Sequence, residues 1–210
     1  MIKAKWIILL LFLIFLLNFE NNIEKFTLSE KQSMFNEALE DMADILESNN
    51  VSYHLHSGTA LGAIRENKFI EHDEDIDIAI FEKDKVYNLE EMVLNSGKFN
   101  LVHKLPKKSE NFMEISFSHK KTKVKIDIFF IVEENNKYKI YTYFGICDDK
   151  PNKRCEYVNT KYKLKTTSLL GRKYKVPENK FLVEHYGEDW RTPKKWNYTQ
   201  GLEWGYKNLQ

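Results

Sequence analysis

Residues 75–80 alternate without a break: Asp75, Ile76, Asp77, Ile78, Ala79, Ile80. A period of two is the signature of a β-strand with one face buried. The isoleucines then point into a core, and Asp75 and Asp77 share the other face, roughly 6.5–7 Å apart along the chain. Two carboxylates so placed repel and raise each other's pKa unless a cation lies between them. Residues 123–131, "KVKIDIFFI", repeat the pattern with a single acid, Asp127, set among Val124, Ile126, Ile128 and Phe130. An ordinary half-exposed strand accounts for either segment taken alone. Three strand-borne acids together suit a hard divalent ion, Mg²⁺ or Mn²⁺, which bridges carboxylates and leaves positions for phosphate oxygens.

The rest of the chain supplies elements for a sheet and its cover. Residues 27–50 predict a helix with Phe35, Leu39, Met42 and Leu46 on one face, and a capping box from Ser29 with Gln32 or Thr27 with Glu30. Its acidic face reads as solvated surface. "VSYHLHSG" predicts a strand ending at Gly58, and "TALGAIREN" a short helix. "GKFNLVHKLP", "NFMEISFSH" and "TKVKIDIFFIV" predict three further strands, the last pairing with "KYKIYTYFG" through an "EENN" turn. Pro177 predicts the first turn of a last helix, which Gly187 ends. Helix, strand, helix, then mostly strands describes an α/β (α+β) domain with a mixed sheet flanked by helices.

The first residues stand apart. Lys3 and Lys5 precede an apolar run from Trp6 to Leu17, extended by Phe19. A cleaved signal peptide and an uncleaved anchor compete; no small residues follow as a cleavage site, which favours an uncleaved transmembrane helix over residues 6–19. Residues 1–5 form a cytoplasmic tip, residues 20–28 a stem, and residues 29–210 a single domain facing the lumen. The shortness of the span favours the thinner membranes of the endoplasmic reticulum or Golgi. A lumenal setting permits a disulfide between Cys147 and Cys155 across "CDDKPNKRC"; a half zinc site completed by His103 or His119 is the alternative. The net charge of +1, spread evenly, gives no electrostatic reason to bind nucleic acid.

Upstream of the acids, Gly58 and Thr59 at a strand end present backbone N–H groups and a hydroxyl to a phosphate. Arg65 adds a guanidinium suited to balancing phosphate charge. "HSGTALGAIRENKFIEHDEDIDIAI" as a whole resembles the signature of the LicD/fukutin family, with its glycine-threonine turn, "LGAIR" and acidic run. "VPENKFLVEHYGEDWRTPKKW" is similar to the family's later segment, and the aromatic tail "WNYTQGLEWGY" looks closer to the fukutin-type members. Glu74 replaces the middle Asp of the family's run, and His72 stands where bacterial members often have Trp.

The resemblance implies a nucleotidyltransferase-like fold and transfer of a phospho-alcohol (ribitol phosphate, phosphocholine or glycerol phosphate) from a CDP-activated donor to a glycan hydroxyl. It implies that Asp75, Asp77 and Asp127 hold Mg²⁺ or Mn²⁺, with Asp127 either completing the metal shell or taking the acceptor proton. Gly58, Thr59 and Arg65 then hold phosphate, and His72 contacts donor or acceptor. A catalytically inert lumenal protein that binds glycan or a partner transferase, and a nucleotidyltransferase that moves the NMP portion, are the competing functions. His54 and His56 read as packed or surface residues, and Tyr186 and Trp190 as packing.

Overall fold

The computed structural model describes residues 29–105, 113–142, 155–194 and 206–208. The anchor, tip and stem expected over residues 1–28, the Cys147–Cys155 pairing and most of the aromatic tail lie outside the described residues. Among those described, no helix is long and apolar enough to cross a membrane.

Helix α1 covers residues 29–48. Its buried stripe is Phe35, Ala38, Leu39, Met42, Ala43 and Leu46, at helical spacing. Each large side chain so buried contributes about 1.5–3 kcal/mol. The expected capping role of Gln32 is replaced by a tertiary one. Its amide donates to Phe69 O and accepts from Phe69 N–H, both at 2.9 Å. The acidic face is paired rather than merely solvated. Asp41 meets Lys98 at 2.5 Å and buried His119 at 3.0 Å, while Asp44 and Glu47 hold Arg172 at 2.6 and 2.8 Å.

Strand β1 (His54–Leu55) is followed at once by α2 (Ser57–Glu66), then β2 (Asp75–Phe81), a short 3₁₀ turn and α3 (Leu89–Asn95). Next come β3 (Phe99–Leu105), β4 (Glu114–His119), β5 (Lys125–Glu134) and β6 (Lys137–Thr142). Strand β7 (Cys155–Thr160) precedes a hairpin of β8 (Leu164–Leu169) and β9 (Arg172–Pro177), then α4 (Asn179–Tyr186) and β10 (Tyr206–Asn208). The two strands expected before β5 and the "EENN" turn after it are present. Asn135 and Asn136 both take positive φ at that turn, as a two-residue hairpin demands.

Strand β5 organises the main sheet. It runs parallel to β2 over Lys125–Ile131 and antiparallel to β4 over Lys125–Phe129; beyond Phe130 it pairs with β6 on the side β4 has left. The sheet therefore forks, one arm continuing to β3 and the other through β7 to β10. Both faces are covered. Ile76, Ile78, Ile80, Ile126, Ile128 and Phe130 pack toward α1 and α3, as the alternation requires. On the opposite face Ala79, Phe129 and Ile131 meet Leu61, Phe181, Leu182 and Trp190, so the packing role expected of Trp190 holds.

Two boundaries differ from expectation. The strand expected over residues 51–58 stops at Leu55, and Ser57, with φ +40°, already opens α2. Gly58 is thus inside the first helical turn. Pro177 closes strand β9 instead of opening α4, because Glu178 N–H still donates to Lys163 O at 2.9 Å before the chain turns. Gly187 ends α4 at φ +87°, as expected of a residue free of a Cβ.

Candidate functional site

Parallel pairing in register sets Asp77 beside Asp127 and Asp75 beside Lys125. Asp75, Asp77 and Asp127 lie on the face opposite α1, where the second core ends. The structure thus brings together the three acids that the sequence singled out, and it adds two residues that sequence reasoning passed over. Lys125 Nζ lies 3.1 Å from Asp75 Oδ2 and 2.9 Å from Asp127 Oδ2. Asp73, just ahead of the strand, faces the same cluster.

The electrostatics follow from four carboxylates and one close ammonium. Burial, and then the charges of Asp75, Asp127 and Asp73, push Asp77 well above the usual carboxylate range, against the pull of Lys125. Asp73 is raised to about 7 by burial and by Asp75, with Lys31 and Arg65 opposing. Burial pulls Lys125 down, but its hydrogen bond to Asp127 and the charges of Asp127 and Asp75 outweigh that and hold the ammonium above its ordinary value. Among the described residues no three donors already close on one point as a finished metal shell. The donor chemistry nonetheless fits a hard divalent ion: oxygen ligands in excess, a carboxylate forced toward neutrality for want of positive charge, and a lysine partly filling the gap.

The start of α2 supports this floor from the side. Thr59 is buried, and its hydroxyl oxygen accepts from the Asp77 N–H at 2.9 Å. His56 N–H donates to Asp77 O at 3.0 Å. Both residues therefore hold the strand that carries the acid, and Thr59 is enclosed rather than open to a ligand. Gly58 permits a close approach: a Cβ there would overlap Asp73 Oδ2. Arg65 lies with its side chain only 10% exposed, on Glu66 Oε1 at 2.5 and 2.7 Å and near Trp190 O at 3.4 Å. Its charge reaches Asp73, but its donors are engaged within the protein. His72 stands exposed in the loop before the acids.

The remaining histidines have other work. His54 and His56 are buried, and burial lowers both, His54 to about 3. His56 packs on Phe181 at 4.7 Å between ring centroids, so the packed reading of this pair holds. His103 and His119, offered as completing a zinc site, are spent elsewhere: His119 on Thr122 and Asp41, His103 on Ser116 and Glu114. The signal for Lys125 was present in the sequence, since Lys125 and Asp127 share a strand face by the same period of two. No such signal marked Asp73, which lies outside the alternation.

A mixed sheet carrying paired acids on one strand, a third on its parallel neighbour and a helix entering beside them defines a domain of the nucleotidyltransferase class. The chain matches the family described as LicD/FKTN/FKRP, nucleotidyltransferase domain, over residues 50–179, and it belongs to that family. It is similar to ribitol-5-phosphate transferase FKTN of Macaca fascicularis, 32% identical over 165 residues, and to that of Homo sapiens, 31% identical over the same length. Each match covers 77% of this chain and 34% of the relative, so the chain spans about a third of those proteins. The uncharacterized protein RP689 of Rickettsia prowazekii is 28% identical over 136 residues, 63% of this chain and 46% of its own.

Proposed function

We propose that the protein is a metal-dependent transferase that moves a phospho-alcohol from a CDP-activated donor to a glycan hydroxyl. The observation that carries this reading is the meeting of Asp75, Asp77 and Asp127 with Lys125 on one sheet face, with Asp73 beside them ahead of the strand. Such an array is short of positive charge until an ion and a phosphorylated substrate reach it. The name of the FKTN relatives, ribitol-5-phosphate transferase, favours ribitol phosphate among the alcohols.

In this reading Asp75, Asp77 and Asp127 hold Mg²⁺ or Mn²⁺. The ion supplies charge neutralisation at the donor diphosphate, which with positioning is most of the catalysis in phosphoryl transfer. Lys125, which pairs with Asp75 and Asp127 in the ion-free protein, would be free to contact a phosphate oxygen where these carboxylates hold the ion instead. Thr59 and His56 keep strand β2 in place through Asp77, and Gly58 lets the first turn of α2 approach Asp73. The acceptor oxygen forms a bond to the phosphorus that carries the alcohol. The bond from that phosphorus to the bridging oxygen breaks, CMP leaves with the electron pair, and the hydroxyl proton passes to a carboxylate of the cluster. Both oxygens of Asp127 are engaged, one by Ser116 and one by Lys125, which favours ion holding over proton acceptance for that residue.

The apolar run at residues 6–19 supports placing the domain on the lumenal side of a Golgi or endoplasmic reticulum membrane. Digestion of the domain by protease in sealed microsomes would refute that placement. The activity is tested on the detergent-solubilised full chain with Mn²⁺, a panel of CDP-ribitol, CDP-choline and CDP-glycerol, and candidate glycans, by following CMP. CMP release that Asp75→Asn and Asp77→Asn abolish supports the proposal. Release of pyrophosphate from CTP instead would identify NMP transfer. No CMP together with no Mn²⁺-dependent thermal shift by any CDP-alcohol would overturn the transferase reading.

A further inference from the structure

One row of residues crosses four strands at a single level: Asp77 on β2, Asp127 on β5, Ser116 on β4 and His103 on β3. The row continues the acid cluster into a part of the sheet to which the proposed function gives no role. Ser116 is fully buried, and its hydroxyl donates to Asp127 Oδ1. Lys125 engages the other oxygen, Oδ2, in the ion-free protein, and Ser116 on Oδ1 is the partner that would remain where an ion takes the Lys125 position.

Proton counting then defines His103. The single proton of Ser116 is committed to Asp127, so Ser116 Oγ accepts from His103 Nε2 at 2.9 Å. The same nitrogen lies 2.9 Å from Glu114 Oε1. Both contacts require the hydrogen on Nε2, shared between a hydroxyl oxygen and a carboxylate oxygen. Glu114 is fully buried, and among the described residues its second oxygen has no hydrogen-bond partner and its first meets the imidazole N–H.

The backbone is bent to deliver this histidine. Pairing of β3 with β4 runs Phe99 to His119, Asn100 to Ser118 and Leu101 to Phe117, then shifts so that His103 meets Ser116. Val102 is the extra residue, half exposed, at a β-bulge. Without the bulge Val102 would stand opposite Ser116 and His103 opposite Ile115. Bulges next to active sites re-aim side chains in this way.

We propose that His103, acting through Ser116, is a positioning residue for Asp127, and that the bulge at Val102 exists to bring it there. The pair sets how tightly the divalent ion is held. The inference rests on the reading of Asp75, Asp77 and Asp127 as the holders of that ion. Residues that orient a metal ligand from behind typically govern about 10–100-fold in metal affinity or activity.

The test measures Mn²⁺ affinity of the full chain by electron paramagnetic resonance, with thermal unfolding in chelator as the folding control. Ser116→Ala and His103→Ala should weaken Mn²⁺ binding by about 10–100-fold. His103→Gln, whose amide nitrogen can reach the place of Nε2, should restore binding close to the wild type. His103→Ala strands the buried Glu114 carboxylate, so the chelator unfolding control decides which variants are compared, and His103→Gln, which keeps a donor to Glu114, is the variant expected to fold as the wild type does. In turnover the Mn²⁺ concentration for half-maximal rate should rise while KM for the CDP-alcohol stays unchanged. Wild-type Mn²⁺ affinity in folded His103→Ala, alongside lost affinity in Asp75→Asn, would overturn this inference alone. Unchanged affinity in Asp75→Asn as well would overturn the metal reading and this inference with it.

Discussion

Replacing Asp73 with Asn should stabilise the metal-free protein, and the gain should depend on pH in a definite direction. The Asp73 carboxyl is raised from an ordinary 3.8 to about 7, first by burial and then by Asp75. Below about pH 3 folded and unfolded chains both carry it protonated and it contributes no difference; at about pH 4 the difference is still a few tenths of a kcal/mol. As pH rises, the unfolded chain loses the proton while the folded one keeps it, so the unfolded state is favoured. The penalty grows until the folded carboxyl also ionises, and is complete near pH 8. The gap corresponds to about 4 kcal/mol at about 1.4 kcal/mol per pH unit. Asp73 keeps some contact with solvent, so screening trims the expected value to about 2 kcal/mol.

Urea unfolding of wild type and Asp73→Asn in chelator at pH 4 and pH 8 reads this directly. The two proteins should match within error at the lower pH and differ by about 2 kcal/mol at the higher, which is about 4–8 °C in Tm for a chain of this size. Adding Mn²⁺ at pH 8 should shrink the difference, because the ion relieves the same repulsion in the wild type. An equal gap at both pH values would point to packing against Gly58 rather than charge. A variant less stable than wild type at pH 8 would refute the electrostatic argument, because Lys31 and Arg65 would then be the dominant partners of Asp73.

Three further outcomes test the frame around the cluster. Gly58→Ala puts a Cβ onto Asp73 Oδ2; it should cost about 1–3 kcal/mol by urea unfolding and depress turnover by displacing Asp73. Gln32→Ala leaves both Phe69 main-chain groups without their partner; it should destabilise by about 1–3 kcal/mol without changing Mn²⁺ affinity. Lys125→Met removes the ammonium from Asp75 and Asp127; in chelator it should lose about 1–3 kcal/mol at pH 8, between the surface and buried limits for an ion pair. Mn²⁺ should recover most of that loss, and KM for the donor should rise.

How far the sequence discloses such a site depends on whether local geometry or distant pairing makes it. Asp75 and Asp77 share a face because adjacent odd positions on any strand do, so their placement follows from spacing alone. The buried face of α1 is legible for the same reason, at the helical period. Other features depend on the register between strands far apart in the chain. Nothing near Ser116 or His103 indicates that the two meet, since the bulge at Val102 makes the pairing and an unbulged strand would turn His103 away. The β8–β9 hairpin turns at Leu170 and Gly171, with Leu170 at φ +47°, a conformation that propensity argues against for leucine. Ser57 is similar: a serine before a glycine reads as a strand end, but its main chain takes φ +40° inside the helix that approaches Asp73.

Lys125 shares a strand face with Asp127 by spacing alone, but its second partner, Asp75, comes only from strand pairing. A lysine in "KVKIDIFF" reads as the polar side of a half-exposed strand, and by exposure alone it is ordinary. Parallel pairing sets it beside Asp75, and it lies two residues before Asp127 on the same strand face, so its ammonium meets both acids. A lysine there offsets the charge of Asp75 and Asp127 in the ion-free domain. A fixed arginine, with a planar guanidinium held by both acids, would be harder to displace. Under the proposed function, a flexible ammonium on a long stem would give way to a divalent ion and still reach a donor phosphate. Lys125→Arg should therefore keep the stability of the metal-free protein while weakening Mn²⁺ binding. If Lys125→Arg binds Mn²⁺ as tightly as wild type, the lysine is a bystander to ion binding rather than its placeholder.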